Sequence, residues 1–185
     1  LVLLLTGGHT QLYLMKSVSE IKLLGASVDD AIGEAFDKIA KLMGMKYPGG
    51  KEIEAKAKNG DENSFKLPMP LISEDNLNFS FSGIKTHVSL LVNKSKLSNV
   101  FVNNVSASFQ KTISDIIISK ISRAIYQLNN QNIFIKSISV VGGVANNNYI
   151  RKKFENFVIE NNLELYYPLN EMMGDNAAMI AWACI

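Results

Sequence analysis

The feature that most constrains the fold is an apolar run that stops at a pair of glycines and gives way to a helical pattern. Ile133 to Val141 has the composition of a buried strand, Gly142-Gly143 follows it, and Asn148 to Ile159 has helical periodicity. Leu163 to Tyr167 then predicts another strand, and Gly174 to Ile185 predicts another helix. This order of strands and helices predicts parallel pairing and an α/β fold.

The first residues predict a hairpin followed by a third strand. Val2 to Thr6 and Gln11 to Met15 are β-rich and apolar, and Gly7-Gly8 separates them. Ile21 to Leu24 predicts the third strand. A buried strand begins at residue 1 without a methionine, and the chain ends within a helical pattern. For these two reasons we expect a fragment of a longer protein.

Apolar residues at helical spacing predict two long helices between these strand regions. One helix covers Val28 to Met43, with Ser27 as its expected N-cap and Gly44 at its end. The other covers roughly Val105 to Leu128.

Shorter elements are predicted between the two long helices. Tyr47 to Gly50 is a turn that leads into a polar helix ending near Lys58, and residues 59–77 have the composition of a loop. Phe79 to Gly83 predicts a brief strand that enters a further helix.

Composition limits the classes of partner and the compartment. The 185 residues include 19 basic and 17 acidic side chains, so the net charge is +2 and any contact with nucleic acid requires a local basic patch. The single cysteine suits a reducing compartment, which predicts a cytoplasmic protein. No apolar run reaches the ~18 to 20 residues that span a bilayer, so no membrane partner is expected.

The two glycine pairs are the first candidates for ligand contact. Gly142-Gly143 lies between a strand and a helix, where α/β folds hold ligands and free backbone N–H groups attract anions. Asn147, close to the helix start, could donate to a ribose or a phosphate. The alternative, equally supported by these residues, is a tight turn whose asparagines only cap the helix.

The earlier pair, Gly7-Gly8, occupies the predicted tip of the hairpin. The amides of this turn and the Thr6 hydroxyl could cradle a phosphate, with His9 nearby. Taken alone, a two-residue hairpin loop is the favoured interpretation.

Carboxylates at two places could bind ligand hydroxyls or a cation. The polar side of the first long helix carries Asp30, Glu34, Asp37 and Lys41. The alternative is a solvated face with Glu34–Lys38 and Asp37–Lys41 ion pairs. Asp175 begins the last predicted helix, where it could bind a metal or cap the helix.

Five stretches of the chain occur in an order and spacing typical of one family. They are LLTGGHTQL, LLGASVDDAIGEAFDKIAKLMGMKYPGG, NFSFSGIKT, VVGGVANNNYIRKK and MGDNAAMIA. Together they span nearly the whole chain and resemble the tRNA threonylcarbamoyladenosine transferases, formerly called the glycoprotease family. The resemblance implies an actin/Hsp70/sugar-kinase-like (ribonuclease H-like) lobe with a mixed sheet and flanking helices, truncated at the N-terminus.

The resemblance also implies an acyltransferase that modifies tRNA, although the isolated fragment is expected to be inactive. Such an enzyme moves the threonylcarbamoyl group from threonylcarbamoyl-adenylate to N6 of the adenosine next to the anticodon, in tRNAs that read codons beginning with A. Its expected partners are tRNA, the adenylate donor and accessory protein subunits of a modification complex. One divalent metal ion, iron or zinc, is expected to hold and polarise the donor.

Site residues follow from the matched motif positions. The implied substrate-binding residues are Leu4, Leu5, Thr6, Gly7, Gly8, Asp37, Gly50 and Asn147, and the implied metal ligand is Asp175. The family's other metal ligands are two histidines of an HxxxH motif upstream of the first glycine turn, so the metal is expected to be incompletely liganded here. No catalytic residue is implied. Asn148 stands where the family usually has an arginine.

The implied domain organisation is a single actin-like domain in three parts. Residues 1–26 form a partial sheet hairpin, 27–130 combine a helical insertion with core helices, and 131–185 form a nucleotide-binding βαβα part. One alternative function is an inactive fragment or nucleotide-binding scaffold of the same superfold, and another is an ATPase or sugar kinase. A protease is not supported, because the chain has neither a nucleophile–base pair nor a complete zinc motif.

Overall fold

The computed structural model describes residues 1–174 and 177–184, and within them five strands form one mixed sheet. The strands are β1 (Val2–Leu5), β2 (Thr10–Met15), β3 (Ile21–Ala26), β4 (Ser137–Val141) and β5 (Glu164–Tyr166). They lie in the order β3-β2-β1-β4-β5; β2 is antiparallel to both neighbours, and β1, β4 and β5 are parallel. This topology confirms the α/β, ribonuclease H-like prediction.

Buried and half-buried side chains alternate along the central strands, so one face of the sheet packs into the core. Leu3 and Leu5 of β1 are fully buried, as are Ile138 and Val140 of β4, whereas the residues between them are only half-buried. Side chains of a strand point to opposite faces in turn, so this pattern gives the sheet one fully buried face. The buried residues form a common core with the helices.

The helices of the described chain lie between and after the strands. They are α1 (Ile32–Leu42), α2 (Gly49–Ala57), α3 (Ser82–Lys94), α4 (Asn99–Asn129), α5 (Asn148–Glu160) and α6 (Ala177–Ala183). The 31-residue α4 crosses the core, where its Phe109 packs edge-to-face on Phe36 of α1 with ring centroids 4.9 Å apart. No helix in the described ranges is long and apolar enough to cross a membrane.

The first long helix begins later than the sequence pattern predicts. It starts at Ile32 rather than Val28, and Ala31 rather than Ser27 occupies the N-cap position. Ser27 instead forms an isolated parallel bridge with Phe79, and the Val28 amide donates to the Phe79 carbonyl at 3.0 Å. Pairing with a distant segment therefore overrides the local helical periodicity. The brief strand predicted at Phe79–Gly83 is present only as this single bridge.

Two other element boundaries also differ from the prediction. α4 begins at Asn99, six residues before Val105, because the Ser98 side chain caps it by accepting from the Phe101 amide at 3.2 Å. β4 begins at Ser137 rather than Ile133. The Ile133 amide donates to the Leu128 carbonyl at 2.9 Å, so this residue belongs to the turn that ends α4.

Candidate functional site

Four separate segments of the chain enclose one cleft of about 320 Å³. They are the turn between β1 and β2, the start of α1, the start of α2, and the short 3₁₀ turn Gly143–Asn146 that follows β4. The lining residues are Gly7, Gly33, Phe36, Asp37, Pro48, Gly50, Lys51, Glu54, Gly143, Val144, Asn146 and Asn147. A cleft of this size is at the lower end of the range of small-molecule sites.

Parallel pairing of β1 with β4 brings the two glycine turns together. Leu4 pairs with Val141 in the register of the two strands, so both strands end at the same edge of the sheet. The residues that follow, Gly7 and Gly143, therefore lie on neighbouring walls of the cleft. Ligands of α/β folds bind at this carboxyl edge.

Gly33 lets α1 approach the hairpin turn closely. Its amide donates to the Thr6 carbonyl at 3.1 Å, and a Cβ at this position would lie 2.8 Å from the Gly7 Cα. Any larger residue at position 33 would therefore push the helix away from the turn. By contrast, a Cβ at Gly7, Gly50 or Gly143 would meet no atom within 4 Å.

Asp37 fastens the start of α2 to α1 at the edge of the cleft. Its Oδ1 accepts from the Gly49 amide at 2.7 Å, and a Cβ at Gly49 would lie 2.5 Å from the Ala40 Cβ.

Of the two ion pairs considered for the solvated face, Glu34–Lys38 is present at 2.8 Å. The Asp37–Lys41 pair does not occur among the described residues, since Asp37 turns to the backbone of α2 instead.

Asn147 is both a helix cap and a cleft residue. Its Oδ1 accepts from the Ile150 amide at 3.0 Å at the start of α5, so the capping interpretation is correct for this side chain. Its Nδ2 donates to Oε1 of Gln110 at 2.8 Å. Asn147 is 7% and Gln110 is 4% exposed, so this bond holds the amide in a fixed orientation. No local pattern singles out Gln110, because other polar side chains of α4, such as Ser106 and Ser114, are buried as well.

Glu54 of α2 is a further cleft residue that the sequence analysis did not single out. Its Oε1 accepts from the backbone amide of Asn148 at 2.9 Å and from the Asn148 Nδ2 at 2.7 Å. The carboxylate thus occupies the positive N-terminus of α5, which the sequence had suggested as a free anion site. A phosphate could reach the Asn148 amide only by displacing Glu54.

The remaining substrate-binding predictions lie beside the cleft and do not line it. Leu5 is fully buried in the core, and Leu4 is half-buried on β1. The Thr6 hydroxyl accepts from the amides of Gly8 at 3.2 Å and His9 at 2.8 Å, so it stabilises the hairpin turn. A direct ligand role of these residues and of Gly8 stays a prediction.

The predicted metal ligand Asp175 lies outside the described residues. Within residues 1–174 and 177–184, no group of three or more histidine, cysteine, aspartate and glutamate side chains could hold a metal ion. The described residues alone therefore do not form a metal site.

Comparison with known proteins identifies the family. The TsaD family model, described as tRNA N6-adenosine threonylcarbamoyltransferase, matches residues 1–182. Curated relatives with this name include proteins of Wolbachia pipientis wMel, 45% identical over the whole chain and 54% of the relative, and of Thermosipho africanus, 45% identical over 99% of the chain and 54% of the relative. The chain therefore spans about half the length of these relatives.

A solved structure supports the fold independently of sequence. The crystal structure of T. kodakarensis HypF is similar with a TM-score of 0.58 and 17% sequence identity, over 89% of this chain and 20% of that protein. At this identity the likeness concerns the fold alone. The match to the family model over nearly every residue, together with the 45% identity of the curated relatives, shows that the chain belongs to the tRNA N6-adenosine threonylcarbamoyltransferase family.

Proposed function

We propose that the cleft binds threonylcarbamoyl-adenylate and that the chain contributes this donor site to the modification of tRNA. The observation that carries the proposal is the convergence of Gly7, Asp37, Gly50 and Asn147 on one cleft. These residues come from four segments of the chain and were chosen from motif positions. An unrelated set of surface residues would not be expected to share a cavity.

The chemistry of the walls matches the parts of an adenylate. Phe36, Pro48 and Val144 supply apolar surface for a purine. Gly7 and Gly143 leave open space where side chains would stand, so phosphate oxygens can approach the main chain. Asp37 has a second carboxylate oxygen besides the one bonded to Gly49, and this oxygen can accept from a ribose hydroxyl.

The proposed reaction is acyl transfer. The N6 amine of the adenosine beside the anticodon attacks the carbonyl carbon of the carbamoyl group and forms a C–N bond. The bond from this carbon to the phosphate oxygen breaks, AMP leaves with the electron pair, and the amine loses one proton. Within the cleft, the protein's part is to hold the donor so that the attacking amine meets its carbonyl carbon.

The metal ion, the accessory subunits and the cytoplasmic location belong to the same proposal. An iron or zinc ion requires ligands in addition to the residues described, because those residues contain no cluster of three suitable side chains. The tRNA substrate and the single cysteine support a cytoplasmic place of action.

A transfer assay tests the proposal. A protein that joins the chain to the family's upstream HxxxH segment is incubated with threonylcarbamoyl-adenylate, the accessory subunits and a tRNA that reads codons beginning with A, and the digested tRNA is searched by mass spectrometry for N6-threonylcarbamoyladenosine. We expect product with the natural sequence. Gly50→Val is expected to lower the yield at least tenfold, because its side chain would project into the cleft.

Ala55→Val is the matched control, because it places the same β-branched residue at an exposed position of the same helix. This variant should retain the activity of the natural sequence. Absence of product from the unaltered chain, or an equal yield from Gly50→Val and Ala55→Val, would contradict the proposed donor site.

A further inference from the structure

Exposed lysines border the cleft at the turn between α1 and α2. Lys41 and Lys46 line a groove of about 220 Å³ together with Tyr47. Lys51 is exposed on the adjoining wall of the cleft. We call Lys41, Lys46, Lys51 and Tyr47 the basic rim.

The basic rim adjoins the proposed donor site. Asp37 lines both the groove and the cleft. The segment that follows Tyr47 crosses from one to the other, since Pro48 and Gly50 line the cleft and Gly49 lines the groove. A molecule bound along the groove would therefore lie next to a ligand in the cleft.

The positive charges of the basic-rim lysines are not neutralised by ion pairs among the described residues. Lys38, in the same groove, is paired with Asp30 at 2.6 Å and with Glu34 at 2.8 Å. No comparable ion pair involves the three rim lysines in the part of the chain that the structure describes. The whole chain carries a net charge of only +2, so attraction of a polyanion depends on local clusters of this kind.

Tyr47 distinguishes RNA from other acidic partners. Its side chain is 84% exposed and follows Lys46 directly in the sequence, so neither the core nor a neighbouring helix buries its ring. An unstacked base of an RNA loop can lie on such a ring while lysines contact the adjacent phosphates. An acidic peptide would engage the lysines and would leave the aromatic ring without a specific role.

We propose that the basic rim binds the backbone of an RNA loop whose acceptor base enters the cleft, with lysines on phosphates and Tyr47 stacked on a base. The inference rests on the proposed function, which requires an RNA adenosine to reach a donor in this cleft. It adds the surface by which the loop is held and the side from which the base enters.

Binding of a fluorescently labelled tRNA that reads codons beginning with A, measured by anisotropy at several salt concentrations, tests the inference. For the double variant Lys41→Gln/Lys46→Gln we expect roughly tenfold weaker binding and a salt slope lower by about 1.4 to 2, because two phosphate contacts are lost. For Tyr47→Leu we expect roughly fivefold weaker binding with an unchanged salt slope, because only stacking is lost.

Lys94→Gln/Lys96→Gln removes the same charge from exposed positions at the end of α3 and serves as the control. Equal tRNA affinity and equal salt slope of the rim and control double variants would overturn the inference. So would a rim variant that loses binding to polyglutamate while it keeps binding to tRNA.

Binding of AMP, measured by calorimetry, separates this inference from the proposed function. Lys41 and Lys46 do not line the cleft, so their double variant should bind AMP as the natural sequence does. Loss of tRNA binding with AMP binding intact supports the basic rim. If the natural sequence binds tRNA through the rim but does not bind AMP, the proposed donor site is refuted and the basic-rim proposal is still supported.

Discussion

At the scale of the residue, neighbouring glycines have different tasks. Gly142 has φ +98°, a conformation that residues with a Cβ rarely adopt, and a Cβ there would lie 2.4 Å from the Leu5 carbonyl oxygen. Gly143 has open space at the corresponding position and lines the cleft. The first glycine therefore allows the chain to turn against β1, and the second keeps the cleft open.

Alanine at each glycine should separate these two tasks. Gly142→Ala is expected to lower the free energy of unfolding by about 3 kcal/mol, because it combines backbone strain with a contact against Leu5. Gly143→Ala is expected to change it by less than about 0.5 kcal/mol. Urea denaturation of both variants checks the difference, and similar losses at the two positions would contradict the assignment.

At the scale of the element, polar side chains fix segments that have no regular structure. Lys120 of α4 is fully buried and donates to the carbonyl oxygens of Leu71 at 2.7 Å and Asn76 at 2.8 Å. Burial lowers the pKa of Lys120, and these carbonyls satisfy its ammonium group. Arg123, one turn later, donates to the Ile72 carbonyl at 2.7 Å. The loop before α3 is thereby held against α4.

Asp29 connects the segment before α1 to the start of α3. Its carboxylate accepts from the Ser80 hydroxyl, from the Phe81 amide at 2.8 Å, and from the hydroxyl and amide of Ser82. Burial raises the pKa of Asp29, but these hydrogen bonds outweigh it and hold the pKa below its ordinary value.

This lowered pKa predicts a pH-dependent contribution to stability. A carboxyl group whose pKa is lower in the folded state stabilises the fold above its unfolded pKa and loses that effect as the pH falls through the folded value. Asp29→Asn should therefore destabilise the fold at neutral pH, and progressively less as the pH falls below the ordinary pKa of an aspartate.

Denaturation of Asp29→Asn across this pH range, beside Asp75→Asn as an exposed control, measures the effect. Asp75→Asn removes the same charge without touching the start of α3. A destabilisation by Asp29→Asn that stays constant with pH would show that the ionised carboxylate is not what holds the two segments together.

At the scale of the whole molecule, parallel pairing of distant strands creates the cleft. β1 and β4 are more than 130 residues apart in the sequence, yet they lie side by side in the sheet. α1 and α2 close the cleft from one side, and the 3₁₀ turn after β4 closes it from the other. A ligand in the cleft would contact all of these segments at once, so its binding should stabilise the entire fold.

The size of this stabilisation follows from the concentration of the ligand relative to its Kd. AMP at about 100 times its Kd should raise the free energy of unfolding by about 2.7 kcal/mol, because it binds only the folded chain. The increase should disappear in Gly50→Val and remain in Ala55→Val. Chemical denaturation with and without AMP measures it, and an AMP effect that survives in Gly50→Val would place the ligand elsewhere.

Local sequence was sufficient to predict most of the elements. The β1–β2 hairpin, the strand–glycine–helix unit at Gly142 and the apolar stripe of α4 depend on short-range patterns, and the structure contains each of them. The start of α1 was predicted wrongly, because the bridge between Ser27 and Phe79 joins residues 52 positions apart, which no local pattern contains.

Residue patterns along the chain specify most of its turns, strands and helices, its family, and the types of residue available for a ligand. Three contacts depend on the packing of distant segments: Asp37 turns to Gly49, Gln110 orients Asn147, and Glu54 occupies the N-terminus of α5. The physical reason is that a hydrogen-bond partner is selected by proximity in the packed chain. The spacing of residues along the sequence does not contain that proximity until β1 and β4 pair.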